Sequence, residues 1–213
     1  MQLKIDLHVH THFSYDSLIT PEELVSYAKK RGLDGVAITD HDTLEGALKM
    51  AKNTDLLIIP GIEVSSLNGH IIGLNVREHI PKNLGADETV DKIHEVGGLA
   101  VACHPATFFK GSLGGHVNSK FDAVEVINSS AFPFNYSVKH NQKIASRLGI
   151  AQVAGSDAHY APEIGYAHTL VDAELKVDEI IKAISRGLCH PFGGAIPLKV
   201  RLKRELLVLK RKF

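Results

Sequence analysis

The chain has no tryptophan and only two cysteines among its 213 residues. Two cysteines are too few for a disulfide framework, so a reducing cytoplasm is the expected setting. No apolar run approaches the roughly 18 residues a membrane span requires, and no membrane partner is expected. The opening MQLKIDLHVH goes straight into a strand pattern, without the charged-then-apolar layout of a signal peptide. Net charge is missing too, since Lys+Arg 24 balance Asp+Glu 24. No global field then draws a polyanion to the surface, and phosphate binding has to come from a local patch. No Gly-rich phosphate fingerprint follows the first strand, which counts against a nucleotide-binding open sheet. What the chain has in excess is histidine, 13 residues, and that directs attention to metal ligands.

Apolar runs and helical patterns alternate along the chain. The pattern predicts strands over 3–9, 35–39, 56–65, 70–76, 99–104, 123–128, 151–157 and 167–173. The first helix follows Thr20-Pro21-Glu22-Glu23, where Thr20 caps, Pro21 suits the first helical position and Glu23 completes a capping box. Further helices are predicted from near Thr43, over about 87–96, over 136–148 before Gly149, and over VDEIIKAISR before Gly187. The Gly-rich, aperiodic stretch 106–119 reads as a loop. No linker or composition break appears, so residues 1–213 are expected to form one domain. Alternating strands and helices imply a parallel sheet covered by helices, and a compact β/α barrel is favoured over an open doubly wound sheet.

On this strand map the ionisable residues gather in one kind of place. His8 and His10 end the first strand, Asp40 and His41 the second, and Glu63 lies near the end of the third. His104 ends its strand in ACHP, and Asp157 with His159 ends another in GSDAH. In a parallel barrel all strand C-termini open onto one face, where active sites are built. Residues i and i+2 of a strand point to one side, so His8 and His10 can reach one ion, and the same parity joins Asp157 to His159. Imidazole suits Zn, Fe or Mn, and carboxylates can bridge two ions. Burying so many ionisable groups without counter-ions would cost several kcal/mol each, a penalty that a metal cluster removes.

Taken together, DLHVHT, SYDSLITPEEL, TDHDT, GIEVS, NGHIIGL, CHP and GSDAH resemble, in order, the motifs of the PHP (polymerase and histidinol phosphatase) metal-dependent phosphoesterases. The resemblance covers about residues 4–190. It departs from the family's pattern by one extra residue before the Pro-Glu-Glu-Leu and by Ser17 where glycine is usual. It implies an α/β fold of a distorted seven-stranded β/α (TIM-like) barrel, and two to three divalent ions (Mn, Zn or Fe). It also implies their ligands: His8, His10, Glu63 and Asp157 for one ion, Glu63, His70 and His104 for a second, and Asp16, His41 and His159 for a third. His8, His10, Glu63, Asp157 and His159 would be catalytic through the metals.

Other residues are placed by their neighbours. Lys110, in the loop after His104, is a candidate phosphate contact, and Asn128, ending VEVIN, a candidate substrate contact at the mouth. His12 falls outside the motif positions and reads as structural, and Asp40 as a residue that orients a ligand. Cys103 should alternate away from His104 and pack in the core. The tail with Lys199, Arg201, Lys203, Arg204, Lys210, Arg211 and Lys212 reads as a docked terminal strand or helix with a solvated basic face.

The expected activity is hydrolysis of a small phosphate monoester, a nucleotide or similar, by metal-bound hydroxide. The alternatives are an exonuclease acting on nucleic-acid ends, an amidohydrolase, and a non-catalytic nucleic-acid-associated barrel subunit. An amidohydrolase would be expected to bridge its ions with a carboxylated lysine, where this chain offers Glu63. A small phosphorylated substrate is the favoured partner over nucleic acid.

Overall fold

The strand that carries His8 and leads directly into His10, β1 (Gln2–Val9), lies inside the sheet of the computed structural model. Residues 1–108 and 111–211 are described, Arg211 by its backbone alone. Lys110 and Lys212 lie outside the described residues. The other strands are β2 (Gly35–Ile38), β3 (Leu57–Ser66), β4 (Gly69–Leu74), β5 (Leu99–Ala102), β6 (Ala123–Asn128), β7 (Ala151–Gly155), β8 (Ala167–Asp172) and β9 (Cys189–Gly193). The helices are α1 (Pro21–Lys30), α2 (Glu45–Asn53), α3 (Ala86–Glu95), α4 (Phe134–Leu148), α5 (Val177–Ser185) and α6 (Leu198–Arg211).

The strands form one sheet in the order β7-β6-β5-β4-β3-β2-β1-β8-β9. Just past β7 the chain meets β1 again. Val9 bridges Ala158 in parallel, and the Asp157 N–H donates to the His8 carbonyl at 2.8 Å. β1 to β7 are thereby nearly closed into a barrel; β8 lies antiparallel along the first half of β1, and β9 pairs antiparallel with the outer side of β8.

The sheet therefore has nine strands where seven were expected, and it is mixed rather than parallel. β3 and β4 are joined by Leu67 and Asn68 alone, too short for the crossover that parallel neighbours need, so they pair antiparallel. This reversal matters for the site. It puts the start of β4, with His70 opposite Ser65, at the same mouth as the end of β3. The unforeseen β9 is an edge strand, where Pro191 can sit without interrupting a ladder on both sides.

Helix ends follow the predicted signals. Thr20 and Glu23 form the capping box of α1 with Pro21 in its first turn. Gly149 ends α4 in the left-handed conformation (φ 68°) that a side chain disfavours. Leu3, Ile5, Leu7, Ile59, Ile72, Leu74 and Val101 fill the barrel below the mouth. Outside it, α1 and α2 pack through Leu24, Ala28, Ala47 and Met50, and α3 and α4 through Val90, Ile93 and Ala145. No described helix is long and apolar enough to cross a membrane.

Two bulges re-aim side chains at the mouth. In β1 the register with β2 shifts between Asp6 and Val9. Leu3, Ile5 and Leu7 face the barrel core before the shift. After it Val9 turns to the α1 side, and His8 and His10 face inward. In β6 the register slips between Glu125 and Ile127, turning Ile127 towards the outer layer and Asn128 inward. An extra residue in one strand changes which parity faces the core, and such bulges gather beside functional sites.

Candidate metal centre

Glu63 occupies the middle of the mouth and is buried. Its Oε2 lies 3.3 Å from His8 Nε2, 3.2 Å from His10 Nε2 and 3.3 Å from His41 Nδ1. Its Oε1 lies 3.0 Å from both His70 Nδ1 and His104 Nε2. Asp157 Oδ1 stands 3.4 Å from the Nε2 atoms of His8 and His10. Asp16 Oδ2 is 3.4 Å from His41 Nε2 and 3.2 Å from His159 Nε2. His8, His10, Asp16, His41, Glu63, His70, His104, Asp157 and His159 thus converge on one place.

The donor set fits divalent cations. Ligand atoms about 2.1 Å from one ion stand about 3.0 Å apart at a right angle and about 3.4 Å apart in a tetrahedron, the range found around Glu63. His8 and His10 turn their Nε2 atoms to each other at 3.0 Å. His10 Nδ1 and His41 Nδ1 are buried without a hydrogen-bonding partner among the described residues. Four-donor and three-donor groupings follow: His10, Asp16, His41 and His159; His8, His10 and Glu63; His8, His104 and Asp157; and His41, Glu63 and His70.

The electrostatics of the cluster point the same way. Burial alone depresses an imidazole's pKa, but Asp157, Glu125 and Glu63 outweigh it and hold His8 well above its ordinary value. For His10, burial is opposed by hydrogen bonds to Asp157 and Glu63, and the pKa is pushed up to about 10. Burial would raise Glu63 and Asp157, yet the surrounding imidazoles hold both far below the carboxylate range. These buried carboxylates require positive charge beside them, which protonated imidazoles or divalent cations can supply.

A further layer holds the donors in place. Glu125, buried on β6, accepts from His8 Nδ1 at 3.0 Å, from the His104 N–H at 3.0 Å and from Asn128 Nδ2 at 2.9 Å. A carboxylate only accepts, so Nδ1 carries a proton and Nε2 is the His8 atom that can release its own proton and offer a lone pair to an ion. His159 is set likewise, with Nδ1 donating to the Asp157 carbonyl at 3.1 Å. Asp6 accepts from the N–H groups of Ser156 (2.8 Å), Gly165 (2.9 Å) and His8 (3.3 Å), tying β1 to the loop after β7. Complete burial pushes its pKa up to about 6. Neither Glu125 nor Asp6 was singled out from sequence. A charged residue in the middle of an apolar strand, as in AVEVIN, was the available signal.

Several expectations change. Cys103 packs in the core as expected, but it does not face away from the site. His104 adopts a left-handed backbone (φ 35°), which breaks strand alternation and leaves Cys103 Sγ 3.4 Å from Glu63 Oε1. Asp40 holds the backbone after His10 rather than a ligand ring, accepting from Thr11 N at 2.5 Å and Thr11 Oγ1 at 2.7 Å. Asn128 borders the cleft, but its amide donates to Glu125 and Asp157 and its oxygen accepts from Ser130 N. Both its polar atoms therefore already have protein partners. His12 is exposed and packs on Phe13.

The cleft above the cluster has a volume of about 650 Å³. The basic tail, folded as α6, forms one wall with Arg201 and Arg204. Neither arginine was assigned to the site from sequence, because their motif-free tail gives no clue to where it docks. Arg201 donates to the carbonyls of Ser129 (2.7 Å), Ser130 (3.2 Å) and Ile196 (3.2 Å). Arg204 pairs with Glu163 at 3.3 Å and Glu205 at 3.1 Å.

Residues 6–212 match the family model of the PHP domain. Uncharacterized protein MJ1587 of Methanocaldococcus jannaschii is 39% identical over 141 residues, covering 60% of this chain and 82% of that protein. A 5'-3' exoribonuclease of Haemophilus influenzae is 38% identical over 89 residues, covering 38% of this chain and 32% of that enzyme. In fold, the chain is similar to a two-domain Bacteroides vulgatus protein containing a predicted PHP-like metal-dependent phosphoesterase. That likeness has a TM-score of 0.75 at 17% identity, over 91% of this chain and 65% of that one.

Proposed function

Because the chain belongs to the PHP domain family, the metal-dependent phosphoesterases, we propose that it hydrolyses the terminal phosphate of a small phosphate monoester, with a nucleotide as the favoured substrate. The observation that carries this reading is Glu63, within 3.3 Å of five imidazoles, beneath a cleft walled by two arginines. His8, His10, Glu63 and Asp157 would hold one divalent ion, Glu63, His70 and His104 a second, and Asp16, His41 and His159 a third. Bound there, such ions supply Lewis-acid polarisation of phosphoryl oxygens and acidify water enough for attack at neutral pH.

The chain's own groups do the rest. Glu125 and the Asp157 carbonyl fix the ring tautomers of His8 and His159. Among the described residues Arg201 hydrogen-bonds to carbonyls and is in no ion pair, so its positive charge at the cleft wall suits a phosphate. The charge of Arg204 is largely met by Glu163 and Glu205, so Arg204 serves to dock α6.

A hydrolase screen of the Mn²⁺-supplemented protein tests this, with nucleoside monophosphates, sugar phosphates and p-nitrophenyl phosphate beside bis(p-nitrophenyl) phosphate and an N-acyl amide. Turnover of monoesters, with KM raised about tenfold or more by Arg201→Met, is the expected result. Turnover confined to phosphodiesters or amides would refute it.

A further inference from the structure

A second cavity of about 450 Å³ adjoins the metal cleft, lying between the loop after β5 and helix α4. Thr107 lines both cavities, so the groove begins where the metal cleft ends. The loop is anchored. Ala106 N donates to the buried Asn141 Oδ1 at 3.0 Å, Ser137 Oγ donates to the Ala106 carbonyl at 2.8 Å, and Phe108 N donates to the Phe132 carbonyl at 3.2 Å. Thr107 Oγ1 bonds the carbonyl of His104 itself. The groove therefore keeps a fixed position relative to the metal ligands.

Its lining pairs aromatic rings with cations. Phe108 and Tyr136 are exposed, 68% and 43%, with ring centroids 5.3 Å apart, and Tyr136 stacks on His140 at 3.8 Å. In a chain with 6% aromatic residues, an exposed aromatic stack beside a candidate active site calls for a ligand. Lys143 and Arg147 stand one turn apart on α4, both exposed, and neither is in an ion pair among the described residues. Helix α4 contains no acidic residue at all, although the whole chain is balanced in charge. Aromatic faces beside unpaired cations are what single-stranded nucleic acid requires: a base stacks and the adjoining phosphate is neutralised.

We infer that this groove binds the second nucleotide of a short 5'-phosphorylated single strand whose terminal phosphate lies over the metal centre, with its base at Phe108 and Tyr136 and its phosphate at Lys143 and Arg147. The inference rests on the phosphomonoesterase reading for its substrate class, and it narrows that class to nucleotides carrying at least one further unit. An acidic peptide could satisfy the cations but would leave the ring faces unused.

Fluorescence anisotropy with a 3'-labelled, 5'-phosphorylated tetranucleotide, using the full chain, reads the groove directly. The p-nitrophenyl phosphatase rate, from a substrate too small to reach the groove, reads the catalytic centre. Tyr136→Ala and the pair Lys143→Ala/Arg147→Ala should each weaken tetranucleotide binding about tenfold or more and leave p-nitrophenyl phosphate turnover within twofold. Tyr136→Phe should retain binding. The wild-type log affinity should fall with log salt at a slope of about −1.4 for the terminal and second phosphates together, and the double variant should keep only about half of it. Tetranucleotide affinity unchanged within twofold in these variants would overturn the inference. So would displacement of the tetranucleotide by poly-glutamate as readily as by its unlabelled copy. If no phosphate ester is hydrolysed while the variants still lose binding, the functional reading fails and the groove stands.

Discussion

Replacing Glu125 by Gln is the sharpest test of how the centre is built. Glu125 accepts from His8 Nδ1 on one oxygen, and from His104 N and Asn128 Nδ2 on the other. Glutamine offers one oxygen and one amide nitrogen. Its oxygen will settle on the side with two donors, which turns the NH₂ group to His8 Nδ1. Two donors cannot face each other without losing about 1–3 kcal/mol. The imidazole relieves this by moving its proton to Nε2, the atom that points at His10 and Glu63. The fold is then nearly unchanged, but the ligand atom is capped by a proton. Loss of such a supporting partner costs about 10–100-fold in metal affinity, roughly 1.4–2.7 kcal/mol. Calorimetric Mn²⁺ or Zn²⁺ titration measures the affinity, nitrogen NMR of the His8 ring reports its tautomer, and urea unfolding should shift by less than about 1 kcal/mol. Affinity within threefold of the parent, with the proton still on Nδ1, would refute the reasoning.

Glu63→Gln should lower metal content and phosphatase rate together, because the carboxylate is shared among donors on both of its oxygens; metal retained with the rate alone lost would make Glu63 an acid–base group instead. Elemental analysis should find about three ions per chain, with one lost in Asp16→Ala, and an unchanged count in that variant would remove Asp16, His41 and His159 as a site. Divalent ion at about a hundredfold over its Kd should raise the unfolding temperature by roughly 5–10 °C, since saturation contributes about 2.7 kcal/mol and each kcal/mol is worth about 2–4 °C at this length; an unshifted melting curve would contradict a metal held by the native state alone. Gly155→Ala would place a Cβ about 2.8 Å from His8 N, so a loss of about 1–3 kcal/mol in stability together with weakened metal binding is expected, and metal binding at parental strength would show that β1 yields freely there.

What could be read in advance divides along physical lines. His8, His10 and Glu63 were legible because strand periodicity and strand ends are local properties, and several such ends pointing to one mouth reinforce one another. Thr20, Pro21 and Glu23 were legible for the same reason, since a capping box is complete within four residues. Cys103 was misread because strand parity holds only while the backbone stays extended, and His104 leaves that region. β9 was missed because an edge strand with a proline has neither alternation nor an apolar run. Arg201 entered the site through a docking event among Ser129, Ser130 and Ile196, and no local pattern encodes a docking event. Glu125 was hidden in the same way: its role depends on His8, 117 residues earlier in the chain.

The pairing of β1 with the loop after β7 also sets a timetable for synthesis. His8 and His10 leave the ribosome about 150 residues ahead of the Asp157 N–H and Ala158 carbonyl that hold them. At about 5–20 residues per second, the imidazole pair waits on the order of ten seconds or more before the barrel can close around it. Over that interval β1 is an apolar strand with a loose two-histidine chelator at its end, open to chaperones and to whatever cation the surroundings offer. Arg201, on the last helix, arrives later still. If the proposed roles hold, the cleft wall that meets phosphate is added only after the metal ligands, and a chain truncated before α6 would keep the ligand cluster without that wall.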